Sequence, residues 1–142
     1  MNTPRIEIDL NCIKYNAQKI RSWFRSTPVK ILVISKLIHG CPRIIHAMRE
    51  GGLDRFADSR IINIKRIQAD YPEIAFGFIR IPHHQEVADI ISHCTWSSHS
   101  QLETLECFDY EAKRHDKIHG IMLMVEMGDR SEEHTSELQS PC

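Results

Sequence analysis

Lys36 is the residue whose setting points most directly to chemistry. It closes the segment Val29-Lys30-Ile31-Leu32-Val33-Ile34-Ser35, in which Ile31 to Ile34 form an unbroken apolar run. Such a run suits a strand buried on both faces of a parallel sheet. In barrels of alternating strands and helices, chemistry gathers at the carboxyl ends of the strands. A lysine emerging there can lose its proton cheaply and attack a carbonyl, as a Schiff-base lysine must. Gly40 and Pro42 break the chain soon afterwards, so Lys36 falls at a junction between strand and helix. Other reactive residue types are less organised. The five cysteines, Cys12, Cys41, Cys94, Cys107 and Cys142, are widely spaced with no CxxC pair. Neither a disulfide framework nor a zinc site is expected from them, and idle thiols are the simpler reading. His83 and His84 are adjacent, and adjacent side chains point in different directions, which is poor metal geometry. They read as a surface loop after Pro82.

The elements that must position Lys36 follow from punctuation and periodicity. Ile6 to Asp9 reads as a short strand, and Asp9 can cap a helix whose apolar positions are Leu10, Ile13, Ala17, Ile20 and Phe24. Pro28 ends that helix. Strand one is Val29 to Ser35, and a helix follows from Pro42 to Glu50, with Pro42 in the first turn and Gly51-Gly52 at its close. Strand two lies at Arg55 to Ala57. Asp58 or Ser59 is expected to cap the next helix, which carries Ile61, Ile64 and Ile67. After Tyr71-Pro72, strand three runs from Ile74 to Arg80, and a helix with Val87, Ile90 and Ile91 follows Pro82. Strand four spans Cys94 to Ser97. Ser100 and Glu103 have capping-box spacing before a helix with Leu102, Leu105 and Ala112. Strand five is Ile118 to Val125.

Five strands alternating with helices predict an α/β fold with a parallel sheet and right-handed connections. A doubly wound sheet and a (β/α)8 barrel both fit, although a complete barrel needs about 250 residues and the chain has 142. Its 18 basic and 19 acidic residues nearly cancel, which argues against a nucleic-acid groove or an anionic membrane partner. No stretch approaches the roughly 20 apolar residues of a membrane span. The amino terminus has no apolar signal core, so a cytoplasmic location is expected.

After Gly128-Asp129 the character changes. Arg130 to Cys142 reads RSEEHTSELQSPC, without apolar periodicity. The run RSEEHTSELQS resembles the in-frame translation of a common sequencing adapter, so residues 130–142 are expected to be a non-native or disordered tail. Residues 1–129 are then one domain.

Six segments in register carry a further resemblance. They are IEIDLNCIKYNAQKI near the start, VISKLIHG around the lysine, ADSRIINIKR after strand two, FIRIP after strand three, SSHSQLETL after strand four and IMLMVEMGD at strand five. Together they resemble the N-terminal barrel domain of the pyridoxal-phosphate-dependent alanine racemase family, and more narrowly its ornithine racemase branch. The resemblance implies a partial (β/α)8 barrel of about five strand–helix units, with pyridoxal 5'-phosphate as cofactor. It implies that Lys36 attaches the cofactor and serves as one acid/base on the substrate α-carbon. Arg80, His39 and Ser97 are implied as residues of the cofactor environment, with Ser98 beside them. Asp58, Ser59 and Arg60 match a family segment, but helix capping accounts for the first two.

A racemase needs a second acid/base on the opposite face. In alanine racemases this is a tyrosine from a C-terminal β-domain, supplied across a homodimer interface, and none of Tyr15, Tyr71 and Tyr110 is assigned that role. Gly128-Asp129 also runs into Arg130-Ser131, where the branch has an apolar residue and then Arg-Glu-Gly. The chain is therefore expected to be a truncated part of a racemase acting on ornithine or alanine, inactive by itself and poorly stable, with strands one and five left as edges. Two rivals stand beside this reading. One is a single-domain barrel that binds the cofactor for homeostasis without turnover. The other is a non-enzymatic α/β binding module.

Overall fold

The computed structural model describes residues 5–125. Contacts divide the chain into two units, one ending at Ala75 and the other beginning at Phe76.

In the first unit Asp9 caps helix α1 (Leu10–Trp23), its carboxylate accepting from the backbone N–H of Asn11 at 2.8 Å and of Cys12 at 3.3 Å. The strand expected at Ile6 to Asp9 does not form, and those residues are exposed chain. Of the apolar stripe on α1 only Ala17 is fully buried. Strand β1 (Val33–Ile34) pairs in parallel with β2 (Phe56–Asp58), Val33 opposite Phe56 and Ile34 opposite Ala57. Between them lies α2 (Pro42–Glu50), which begins on Pro42 and ends on Gly51. Helix α3 (Ile61–Asp70) follows β2. The buried apolar residues include Ile44, Ile45 and Ala47 of α2, Phe56 and Ala57 of β2, and Ile64 and Ile67 of α3. Each large member contributes about 1.5–3 kcal/mol by leaving water.

Strand one is therefore shorter than its apolar run, and it is not buried on both faces. Leu32 is 38% exposed and Ile34 41%. The reason is that β1 has β2 as its one hydrogen-bonded neighbour among the described residues, so its far side is uncovered.

The second unit repeats the pattern. Strand β3 (Phe76–Phe78), helix α4 (Val87–His93), strand β4 (Cys94–His99), helix α5 (Leu102–Arg114) and strand β5 (Gly120–Leu123) follow in order. β4 pairs in parallel with β3 on one side and with β5 on the other. At position 77 the Trp96 indole lies where a Cβ would sit, 2.0 Å from its ideal position. Only glycine admits the ring there, and the β3–β4 register shifts at that point. Phe76, Phe78, Val87, Ile90, Ile91 and Phe108 are buried, whereas all four residues of β5 are exposed.

The capping expectations need correction here and on α3. The N-cap of α5 is Gln101, whose side chain makes no capping hydrogen bond, so Ser100 and Glu103 form no capping box. A box does form one helix earlier, where His83 and Glu86 exchange bonds across the 3-10 turn His84–Glu86 that leads into α4. Likewise the N-cap position of α3 is Arg60, without a side-chain cap hydrogen bond, rather than Asp58 or Ser59. Residues 126–142, with the expected tail, lie outside the described residues.

Candidate active site

Lys36 lies two residues past β1 and opens a 3-10 turn, Lys36–Ile38. The turn therefore follows the carboxyl end of β1, the end at which a parallel barrel sheet offers its functional loops. The turn is closed by Ile38 N–H donating to the Ser35 carbonyl at 3.1 Å and Cys41 N–H donating to the Ile38 carbonyl at 3.1 Å. His39 at φ 49° and Gly40 at φ 65° then reverse the chain into α2. A Cβ on residue 40 would lie 2.8 Å from the Asn63 Cα, so glycine is required for contact as well as for conformation.

Underneath the turn is a buried polar clamp. Asp58 is fully buried, and its Oδ2 accepts from Ser35 Oγ at 2.7 Å. Its Oδ1 accepts from the Arg60 N–H at 2.9 Å and from Asn63 Nδ2 at 3.2 Å. Ser35 Oγ also reaches the Ala57 carbonyl at 3.2 Å. Farther along α3, Arg66 Nη1 donates to the His39 carbonyl at 2.8 Å. Asp58 is thus not a helix cap but the joint between β1, β2 and α3, and the residue it grips immediately precedes Lys36. The Lys36 side chain is exposed rather than desolvated by the strand, and it has no hydrogen-bond or ion-pair partner among the described residues. His39 is exposed as well.

In the second unit Arg80 is held by neighbours of its own. Its Nη2 donates to both oxygens of Glu86, at 2.6 and 2.7 Å, and its Nη1 donates to the Ile81 carbonyl at 3.1 Å. The guanidinium also covers the Phe78 ring at 5.2 Å. Ser97 lies within β4 rather than at its end, and its hydroxyl meets Nε2 of His99 at 2.7 Å and Nε2 of His119 at 2.8 Å. Phe108 of α5 closes over this group, edge-on to His99 at 4.6 Å and tilted to His119 at 5.2 Å. His99 is fully buried and its Nδ1 has no partner.

These contacts assign the protons. Ser97 has one hydroxyl proton and can donate to only one of the two rings. A bare nitrogen is cheaper to bury unpaired than an N–H, so the unpartnered Nδ1 of His99 carries no proton. His99 therefore donates from Nε2 to Ser97, and Ser97 donates to Nε2 of His119. Burial holds both imidazoles below the ordinary histidine value. For His119, burial is joined by the nearby His99 and Lys117, against a raising contribution from the Cys94 backbone, and its pKa is pushed down to about 4.

The positioning residues Asn63 and Arg66 were not singled out in the sequence, although their spacing of three places them on one face of α3. Ser97 and His99, two apart on a strand, carry a similar signal. Among the described residues no group of histidine, cysteine and carboxylate side chains could hold a metal ion, and no helix is long and apolar enough to cross a membrane.

Comparison with known proteins gives this arrangement its relatives. The chain is 31% identical over 129 residues to an ornithine racemase of Acetoanaerobium sticklandii and 26% identical over 129 residues to a lysine racemase of Thermotoga maritima. In both cases the match covers 91% of this chain and 36% of the relative, so the chain spans about a third of their length. Among solved structures, PipY of Synechococcus elongatus with pyridoxal phosphate bound superposes with a TM-score of 0.72 at 19% identity, over 89% of this chain and 65% of PipY. That likeness shows a shared fold. Residues 8–131 match the alanine racemase N-terminal domain, and the chain belongs to that family.

Proposed function

We propose that this chain is the cofactor-bearing part of a pyridoxal-phosphate-dependent amino-acid racemase, with Lys36 as attachment residue and acid/base. One observation carries the reading: an unpaired amine on a rigidly clamped turn beyond the carboxyl end of a parallel strand. The residues present fit such a group, because a covalent attachment lysine must be unpaired and reachable, and Lys36 is both. When bound, pyridoxal phosphate supplies an electron sink that makes the α-hydrogen of an amino acid acidic. Lys36 Nζ would accept that proton and return it. His39 would flank the lysine across the same turn. For Arg80 and Ser97 the reading carries a condition: each must exchange a partner it already holds, Glu86 for Arg80 and one imidazole for Ser97.

The substrate proposed is ornithine or another basic amino acid, with alanine as second choice, and the ornithine and lysine racemases among the relatives support the first. The whole protein is proposed to be a homodimer.

Attachment is tested by incubating the chain with pyridoxal phosphate, reducing with borohydride and mapping the adduct by peptide mass. The expected result is an adduct concentrated at Lys36 and lost in Lys36→Ala. An adduct spread evenly over the surface lysines, or unchanged total labelling in Lys36→Ala, overturns the assignment. Deuterium uptake at the α-carbon in D2O, measured on the whole protein, then tests the substrate class. There L-ornithine should exchange faster than L-alanine, and the exchange should vanish in Lys36→Ala.

A further inference from the structure

We propose that Cys107 and His84 form a reactive thiol site on the outer face of α4 and α5, open to small cationic disulfides. His84 Nδ1 lies 3.2 Å from Cys107 Sγ, although the two residues are 23 positions apart. They share a cleft of about 400 Å³ whose apolar lining is Val87, Ala88 and Tyr110 and whose charged lining is Glu106 and Glu111. No lysine or arginine lines it. Glu111 is engaged by Arg114 at 2.8 Å, whereas Glu106 has no ion-pair partner among the described residues. The cleft therefore offers a thiol, a base, apolar walls and negative charge together.

The remaining described cysteines lack this combination. Cys12 is exposed, but hydrogen bonding to Asp9 and the charge of that carboxylate raise its thiol pKa. Cys94 is buried, and desolvation pushes its thiol up to about 12. Cys41 caps α2 without a side-chain hydrogen bond, and no base faces its sulfur among the described residues. Among the described cysteines only Cys107 has an imidazole in contact together with an open approach.

The step balances without an external oxidant beyond the disulfide. In the tautomer that leaves His84 Nδ1 bare, the imidazole takes the thiol proton. The Cys107 sulfur attacks one sulfur of the disulfide, the S–S bond breaks, and a mixed disulfide forms on Cys107. The displaced sulfur leaves as a thiolate and takes up a proton, so Cys107 is oxidised and one half of the reagent is reduced. A free thiol reverses the exchange.

The test compares cystamine, a dication, with dithiodiglycolate, a dianion of similar size, on the intact chain, with acid quenching and peptide mass mapping. Cystamine should modify Cys107 on the order of tenfold faster than Cys12, Cys41 or Cys94 near neutral pH. Dithiodiglycolate should show little preference, and Glu106→Gln should narrow the gap between the reagents. His84→Gln should slow Cys107 modification, with far-ultraviolet circular dichroism confirming retained helix. Faster modification of Cys41 or Cys12, or a Cys107 rate unmoved by His84→Gln, overturns the proposal.

Discussion

Asp58→Ala against Asp58→Asn is the sharpest probe of how the Lys36 turn is held. The carboxylate accepts from Ser35, Arg60 and Asn63 with no exposure to solvent. Alanine leaves these donors with unequal alternatives. Ser35 retains the Ala57 carbonyl at 3.2 Å. The Arg60 N–H belongs to an exposed residue and can find water. The Asn63 amide is buried and loses its acceptor. One orphaned buried donor costs about 1–3 kcal/mol, and losing the charge-assisted bond from Ser35 about 1.5–3 kcal/mol. The expected cost of Asp58→Ala is therefore about 3–5 kcal/mol, a large part of the ~5–15 kcal/mol that holds an ordinary domain. Asparagine should behave differently. Its oxygen can keep Arg60 and Asn63 while its amide donates to Ser35 Oγ, whose own proton turns to the Ala57 carbonyl. Every partner is satisfied, and the expected cost falls to about 1 kcal/mol. Urea unfolding followed by circular dichroism and extrapolated linearly measures both. Borohydride-trapped pyridoxal phosphate at Lys36 should fall with Asp58→Ala and survive Asp58→Asn. Equal destabilisation by the two variants, or a cost for Asp58→Ala below about 1 kcal/mol, would refute the clamp.

Two further outcomes follow from the same geometry. Gly40→Ala places a Cβ at φ 65° against the Asn63 backbone. It should cost at least the ~1–2 kcal/mol of a left-handed residue, read in the same urea experiment, and should lower trapping at Lys36. The imidazoles of the second unit set a pH dependence. Their folded pKa values lie below the unfolded value, so the unfolded chain binds more protons, and stability is full above about pH 6.5 and lost as pH falls towards the His119 value of about 4. The full shift would amount to about 3 kcal/mol, and partial exposure of His119 reduces this to about 1–2 kcal/mol. His119→Gln should flatten that part of the profile between pH 6.5 and 4.5, and an unchanged slope contradicts the burial argument.

Much of the architecture was legible in the sequence because it rests on local rules. Asp9 capped α1, Pro42 opened α2 and Gly51 closed it, as side-chain chemistry within a few residues requires. The alternation of strand and helix was legible for the same reason, as was the position of Lys36 beyond a parallel strand. Strand lengths were not. The segment Val29 to Ser35 holds an unbroken apolar run from Ile31 to Ile34, yet only Val33 and Ile34 pair, since a strand's extent depends on a neighbour that local sequence does not specify.

The sequence by itself determined the family and the place of Lys36 just beyond a strand, because both depend on residue type and order. Tertiary structure alone decided what holds that residue. Asp58 reads as a cap in one dimension and becomes a three-way acceptor only when β1, β2 and α3 converge on it. Ser97 reads as a pocket serine and is instead placed between two imidazoles, one of them 22 residues away. Hydrogen-bond partners distant along the chain are chosen by packing, and packing is a property of the whole core.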